Sequence, residues 1–71
     1  MRFAIFGAGV IGTIHAHNIA ANTDLTLLHV VDQDIERAKA LADHVGGVAS
    51  DSPEKAVNDE AVDAVIIGSS T

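Results

Sequence analysis

The 71-residue sequence contains no cysteine, tryptophan or tyrosine, and it has only four basic residues, counting lysine and arginine together. The absence of cysteine excludes disulfides, thiolate metal ligands and a cysteine nucleophile within these residues. Ten acidic residues outnumber the basic ones and set the formal net charge at −6. A basic patch for phosphate backbones is therefore lacking, and we do not expect nucleic acid as a partner.

Long apolar runs are also missing. None approaches the roughly 20 residues that a membrane-spanning helix requires, so we expect no membrane partner. Glycines at positions 7, 9 and 12 interrupt the apolar start of the chain, which argues against a secretory signal. The remaining composition, 48% hydrophobic and 20% charged, is that of one small globular domain, and we expect a cytoplasmic location.

Short apolar segments alternate with helical patterns along the chain. The predicted strands are Phe3–Phe6, Leu25–Val31, Val48–Ala49 and Val62–Ile67. The predicted helices run from Val10 to about Ala21, from a cap at Asp34 to a left-handed cap at Gly46-Gly47, and briefly from Ser52-Pro53-Glu54. The predicted buried faces are Gly12, Ala16, Ile19 and Ala20 in the first helix, and Ile35, Ala38, Leu41, Ala42 and Val45 in the second.

This alternation indicates an α/β fold with a parallel sheet. Right-handed crossovers lead to the strand order 3-2-1-4 of a doubly wound Rossmann sheet. The chain stops directly after its fourth strand, where such domains normally continue. We therefore expect a partial Rossmann fold, truncated after the fourth strand. Residues 1–71 would be the N-terminal part of a dinucleotide-binding domain, and the catalytic, substrate-binding domain would be absent.

A glycine-rich motif connects the first strand to the first helix: Gly7-Ala8-Gly9-Val10-Ile11-Gly12. Gly7 permits a tight turn, Gly9 lets a pyrophosphate approach the backbone, and Gly12 lets the helix pack closely on the sheet. The unpaired N–H groups of Val10 and Ile11 would then meet the phosphates along the helix dipole. The alternative is a tight strand-to-helix turn that binds no ligand.

Asp32 follows the second strand, 20 residues after Gly12, as the dinucleotide-binding fingerprint requires. Its carboxylate can accept hydrogen bonds from both ribose hydroxyls of the adenosine half, and it would repel a 2′-phosphate. Gln33 adds no positive charge there, so the sequence favours NAD over NADP. A solvated acid at a strand end is the alternative for Asp32. Arg37 is interpreted as a solvated helix residue, with a contact on the adenine side as its alternative.

The polar residues Ser69, Ser70 and Thr71 follow the fourth strand at the carboxyl edge, where open α/β sheets bind ligands. Ser69 and Ser70 are candidates for cofactor contacts, and an ordinary polar turn is an equal alternative. We expect no metal site, because His15 and His17 are two residues apart and point in different directions on their helix. The later acidic residues are not expected to form a catalytic pair: Asp51, Asp59, Glu60 and Asp63.

The segment Phe3–Gly12, followed by His15, resembles the start of the glucose–fructose oxidoreductase, inositol dehydrogenase and MocA superfamily. Val62–Ser69 resembles that family's fourth strand and the turn after it, so the resemblance covers essentially the whole chain. Within the family, the sequence is most similar to the inositol 2-dehydrogenases. The resemblance implies hydride transfer from a sugar or cyclitol hydroxyl to NAD. It also implies cofactor contacts at Gly7–Gly12, Asp32, Ser69 and Ser70.

Two departures from the family pattern bear on function. Val10 stands where the family often has a basic or polar residue. The family's Glu-Lys-Pro motif is absent from these residues, as are the Asp and His that act on the substrate hydroxyl, so the chain alone is not expected to catalyse. The alternative function is a non-catalytic nucleotide-binding or self-associating structural fragment. The spacing of Gly9 and Gly12 argues against a methyltransferase. Flavin proteins share this fingerprint, so the sequence excludes them less firmly than it excludes methyltransferases.

The segment Val62–Ile67 would form one outer edge of the sheet, although its apolar residues are typical of a central strand. Between Ala64 and Ile67, no charge or proline blunts this edge. A domain this short buries only about 60% of its unfolded surface and gains from further burial. We therefore expect a homo-oligomer through the Val62–Ile67 edge strand rather than a stable monomer.

Overall fold

The structure, a computed structural model, describes residues 1–68, which form four strands and three helices. In chain order, the elements are β1 (Arg2–Phe6), α1 (Val10–Ala20), β2 (Thr26–Val31), α2 (Ile35–Val45), β3 (Val48–Ser50), α3 (Pro53–Val57) and β4 (Ala64–Ile67). All strand pairs are parallel, and the strands lie in the order β3-β2-β1-β4. This arrangement confirms the predicted α/β fold with the 3-2-1-4 order of a Rossmann sheet.

The sheet carries helices on both faces. On one face, α1 and α2 pack over a core in which Ile5 and Val30 are fully buried. On the other face, α3 covers a smaller core of Ala4, Val31 and Ala56. Neighbouring residues of a strand point to opposite faces, so Ala4 and Ile5 contribute to different cores. The helices leave the carboxyl ends of the strands open along one edge of the sheet.

The buried face of α1 is narrower than predicted. Gly12, Ala16 and Ile19 are buried, but Ala20 is exposed, so its assignment to this face was wrong. Ala20 lies about 80° around the helix from Gly12 at 3.6 residues per turn, which turns it away from the sheet. The two longest described helices have 11 residues each, and no helix within residues 1–68 could cross a membrane.

The start of α2 follows the prediction, and its end differs from it. Asp34 caps the helix by accepting hydrogen bonds from the N–H groups of Glu36 and Arg37. Gly46 has the predicted positive φ of 87°, but its ψ of −178° lies outside the left-handed helical region. The prediction of a left-handed cap is therefore right about the positive φ of Gly46 and wrong about its ψ. Gly46 instead adopts an extended conformation that is essentially restricted to glycine, from which the chain runs directly into β3.

Strand β4 begins at Ala64, two residues later than predicted. The N–H of Val62 donates to the carbonyl of Asp59 at 3.0 Å and closes a turn. The side chain of Asp63 then accepts a hydrogen bond from the N–H of Arg2 at 2.7 Å. The N–H of Asp63 donates to the carbonyl of Arg2 at 2.7 Å, but the N–H of Arg2 donates to the carboxylate instead of a main-chain carbonyl, and the regular ladder to β1 starts with the next residue.

Candidate functional site

The carboxyl ends of β1, β2 and β4 surround an open cleft of about 380 Å³. The residues that line it are Phe6, Gly7, Val31, Asp32, Gln33, Asp51, Pro53 and Ile67. Strands β1 and β4 are neighbours in the sheet, although β2 and β3 come between them in the chain. Their junction is thus the topological switch point, the place where open α/β sheets bind ligands.

Gly7 and Gly12 are required by the fold itself. Gly7 has a φ of 98°, which an L side chain rarely adopts, and its N–H donates to the carbonyl of Val31 at 2.7 Å. A Cβ at Gly12 would lie only 1.8 Å from the carbonyl oxygen of Gly7. A Cβ at Gly68 would lie 2.6 Å from the Cα of Gly12. The three glycines therefore bring α1 close to the ends of β1 and β4.

The structural role of Gly68 was missed in the sequence. Its N–H donates to the carbonyl of Phe6 at 2.8 Å, directly after the last pair of the β1–β4 ladder. In the sequence, Gly68 is indistinguishable from any glycine that ends a strand. Only the position of β4 beside β1 brings it against the first helix.

Gly9 differs from its neighbours, because the fold alone does not require a glycine there. Its φ of −76° and ψ of −161° are extended values that other residues adopt. The nearest atom to an added Cβ would be Nη1 of Arg37, at an ordinary contact distance of 3.8 Å. Space for a side chain exists at this position, and the sequence leaves it empty. The backbone at Gly9 is therefore accessible to a group that approaches it closely, and the loop has room for a pyrophosphate.

The amino end of α1 is open to an anion. No side chain caps it, and its first turn contains no acidic residue. Within residues 1–68, the N–H groups of Val10 and Ile11 have no hydrogen-bond acceptor. By contrast, α2 satisfies its own amino end through the Asp34 carboxylate. Unpaired N–H groups and the positive end of the helix dipole favour a phosphate at α1.

Asp32 lies in the cleft and is held rigidly by backbone N–H groups. Its Oδ2 accepts from the N–H of Ala8 at 2.7 Å, and its Oδ1 accepts from the N–H of Asp34 at 2.8 Å. Burial raises the pKa of the Asp32 carboxyl, but these two donors and the nearby Arg37 outweigh burial and hold the pKa below its usual value. Asp32 is therefore a carboxylate at neutral pH. Each oxygen keeps further acceptor capacity for ribose hydroxyls.

A second wall of the cleft was not predicted. Asp51 and Pro53 follow β3 and line the cleft together with Gln33, which follows β2. From the sequence, Asp51 was considered only as one of the acids that are not expected to form a catalytic pair. Its position directly after a strand could have indicated the carboxyl edge, since parallel strands end together there. The ring of Pro53 offers an apolar surface and the carboxylate of Asp51 offers a hydrogen-bond acceptor, which together suit a flat heterocycle with an exocyclic amine.

Two predicted candidates, Ser69 and Ser70, lie outside the described residues. The histidines, which were not expected to bind a metal, lie outside the cleft. His15 and His17 are exposed on α1, whereas His29 is buried and its Nε2 lies 2.7 Å from Oδ2 of Asp59. The His29 ring holds the pKa of Asp59 below its usual value. This pair joins β2 to the loop after α3, and no cluster of three or more metal-ligating side chains occurs within residues 1–68.

Residues 1–71 match the GFO/IDH/MocA family, which is described as an oxidoreductase family with an NAD-binding Rossmann fold. Over 72 aligned residues, the chain is 36% identical to the myo-inositol 2-dehydrogenase of Thermotoga maritima. The match covers 100% of this chain and 22% of that relative. The chain thus spans less than a quarter of the curated relative's length.

Solved structures of related proteins share this fold. The chain matches a myo-inositol dehydrogenase from Corynebacterium glutamicum with a TM-score of 0.91 and 46% identity, over 99% of this chain and 21% of that one. It matches GenD2 from gentamicin A biosynthesis, solved in complex with NAD, with a TM-score of 0.93 and 28% identity. That match covers 97% of this chain and 20% of GenD2.

Proposed function

Because this chain belongs to the GFO/IDH/MocA oxidoreductase family, whose Rossmann fold binds NAD, we propose that it binds NAD for a dehydrogenase of a sugar or cyclitol hydroxyl. When bound, the nicotinamide accepts the hydride. The relatives named myo-inositol dehydrogenase support a cyclitol as the substrate class. The proposal treats residues 1–71 as the N-terminal, cofactor-binding part of a longer, cytoplasmic enzyme, with the groups that act on the substrate located elsewhere in that enzyme.

The observation that carries this proposal is the empty side-chain position at Gly9, next to the open amino end of α1. In the proposed complex, the N–H groups of Val10 and Ile11 donate to the pyrophosphate. Asp32 accepts hydrogen bonds from the adenosine ribose, and the adenine lies in the cleft between Gln33 and Pro53. Ser69 and Ser70, which lie outside the described residues, are proposed as further cofactor contacts on the basis of the sequence. The roles of Val10, Ile11 and Asp32 are supported by donors and an acceptor within residues 1–68.

A calorimetric titration of the chain with NAD, NADP, FAD and S-adenosylmethionine tests the proposal. We expect NAD to bind most tightly, because the loop suits a pyrophosphate and Asp32 suits a ribose with both hydroxyls free. Tighter binding of FAD or S-adenosylmethionine would point to a flavin protein or a methyltransferase instead. Binding of none of the four would leave a structural fragment as the function.

Replacing Asp32 with alanine should narrow the difference in affinity between NAD and NADP. NAD loses charge-assisted hydrogen bonds and should bind about 10-fold to 100-fold more weakly. NADP should lose little, because the variant also removes a negative charge that repels its 2′-phosphate. Calorimetry with both cofactors measures the two effects. Asp43→Ala, which removes the same charge from an exposed position on α2, is the matched control and should leave the ratio unchanged. Equal or tighter binding of NADP by the unmodified chain would contradict this role of Asp32.

The outer edge of β4 supports a proposal about assembly. Val65 is 40% exposed and Ile67 is 65% exposed on the same face of the sheet as α3, and β4 has only β1 as a strand partner within residues 1–68. We propose that two copies of the chain pair through this edge. Val65→Lys should then shift the assembly toward monomer in analytical ultracentrifugation. Val57→Lys, at a position that is 63% exposed on α3, is the matched control and should not. A folded monomer of the unmodified chain at high micromolar concentration would refute the pairing.

A further inference from the structure

Arg37 is an exposed residue whose guanidinium lies beside the glycine loop. Its Nη1 is 3.8 Å from the position that a Cβ of Gly9 would occupy. The arginine belongs to the first turn of α2, and its Nε is 3.9 Å from Oδ2 of Asp34. Its side chain is 55% exposed, so the guanidinium keeps access to a ligand. A positive charge therefore stands where the second glycine of the motif leaves room for a pyrophosphate.

Within residues 1–68, Arg37 interacts with two carboxylates, those of Asp34 and the nearby Asp32, and both interactions are weak at this exposure. A surface ion pair of this length and exposure contributes little to stability, typically below about 1 kcal/mol. The chain carries a net charge of −6, so an anionic cofactor needs a local cation to offset the overall field. Arg2 does not supply it, because it lies near Asp63 at the amino end of β1, opposite the carboxyl edge.

We propose that Arg37 positions the cofactor by donating hydrogen bonds from its guanidinium to a pyrophosphate oxygen over Gly9. This inference rests on the proposed function. The pyrophosphate is the favoured anion because Gly9 leaves the required space, whereas a 2′-phosphate would face the carboxylate of Asp32. A guanidinium can present two parallel N–H donors to a phosphate, and a lysine cannot. Arg37 and the N–H groups of Val10 and Ile11 then hold the same group from two helices.

The surroundings of Arg37 leave it room to adjust. It lines a second cleft of about 210 Å³ between α1 and α2. Ala8, Thr13 and Leu41 also line that cleft.

The test compares Arg37→Gln and Arg37→Lys with the unmodified chain in calorimetric titrations with NAD and NADP at pH 8. We expect the glutamine variant to weaken binding of both cofactors by the same factor, about 10-fold, because both carry the pyrophosphate. The lysine variant should keep part of the affinity, since the charge remains without the paired donors. Adenosine, followed by ligand-observed NMR, should bind all three chains alike. The loss for NAD should shrink in 1 M salt, where charges are screened.

Several results would overturn the inference. A loss confined to NADP would assign Arg37 to the 2′-phosphate, and unchanged affinity for both cofactors would leave it without a role in binding. A loss for adenosine as large as that for NAD, with a matching fall in urea stability, would make it a structural residue. Failure of the unmodified chain to bind NAD would instead refute the proposed function, so the two failures are distinguishable.

Discussion

Replacing Gly9 with serine should weaken NAD binding by about 10-fold to 100-fold and leave the fold as stable as before, or more stable. The added Cβ has space within the chain, since its nearest neighbour would be Nη1 of Arg37 at 3.8 Å. Serine is also a better helix cap than most residues, and it restricts the unfolded chain more than glycine does. These two effects should raise the free energy of unfolding by up to about 1 kcal/mol.

The same serine obstructs the cofactor in two ways. Its side chain fills the space over the backbone, and its hydroxyl oxygen accepts from the N–H groups at the start of α1 that the pyrophosphate needs. Overpacking typically costs about 1–3 kcal/mol, and each 1.4 kcal/mol is a tenfold change in affinity, so the expected loss of NAD affinity is about 10-fold to 100-fold. Calorimetry with NAD and urea unfolding measure binding and stability separately. Gly9→Ala, which adds bulk without a hydroxyl, separates the two causes. Unchanged NAD affinity in both variants would show that the pyrophosphate does not lie over Gly9.

Replacing Gly12 with alanine should destabilise the fold by at least about 3 kcal/mol, the upper end of overpacking costs. The new Cβ would lie 1.8 Å from the carbonyl oxygen of Gly7 and 2.8 Å from its carbonyl carbon. Both are backbone atoms of a turn with a positive φ, so neither can move without shifting α1 away from the sheet. The free energy of unfolding of a domain of this size is roughly 4–10 kcal/mol, so the expected loss is a large share of it.

Helix propensity alone predicts the opposite sign for this substitution. Alanine is favoured over glycine inside a helix by about 1 kcal/mol. Urea unfolding of Gly12→Ala beside Gly9→Ala therefore compares the same chemical change three residues apart in the same motif. We expect a large loss at position 12 and a change within about 1 kcal/mol at position 9. Equal stability of the two variants would contradict the close contact among Gly7, Gly12 and Gly68.

The site was predictable where its chemistry depends on neighbours in the chain. The turn at Gly7, the close approach at Gly12 and the helix cap at Asp34 involve residues within a few positions of one another, and the structure shows all three. The strand order was predictable because right-handed crossovers leave few ways to join parallel strands. The ligand contacts of Gly9, Val10, Ile11 and Asp32 remain predictions that the binding experiments test.

Other parts of the site depend on residues that are distant in the chain. The hydrogen bond from Ala8 to Asp32 spans 24 residues, and the contact between His29 and Asp59 spans 30. Asp51 joins the cleft only because β3 ends beside β2. Arg37 is exposed, as the sequence predicts for a solvated helix residue, and the packing of α2 beside α1 also brings its guanidinium near Gly9. Spacing along the chain does not encode such contacts.

The sequence by itself determined the alternation of elements and the parallel Rossmann sheet, because periodicity and glycine placement act over short distances along the chain. Only the tertiary structure decided that Ala20 is exposed, that the Asp63 side chain accepts from Arg2 just before the β1–β4 ladder begins, and that Gly68 packs on Gly12. It also decided which glycines the fold requires and that Gly9 is not one of them. The physical reason is that these outcomes depend on the distance between atoms of separate elements, which is set only when the elements pack together.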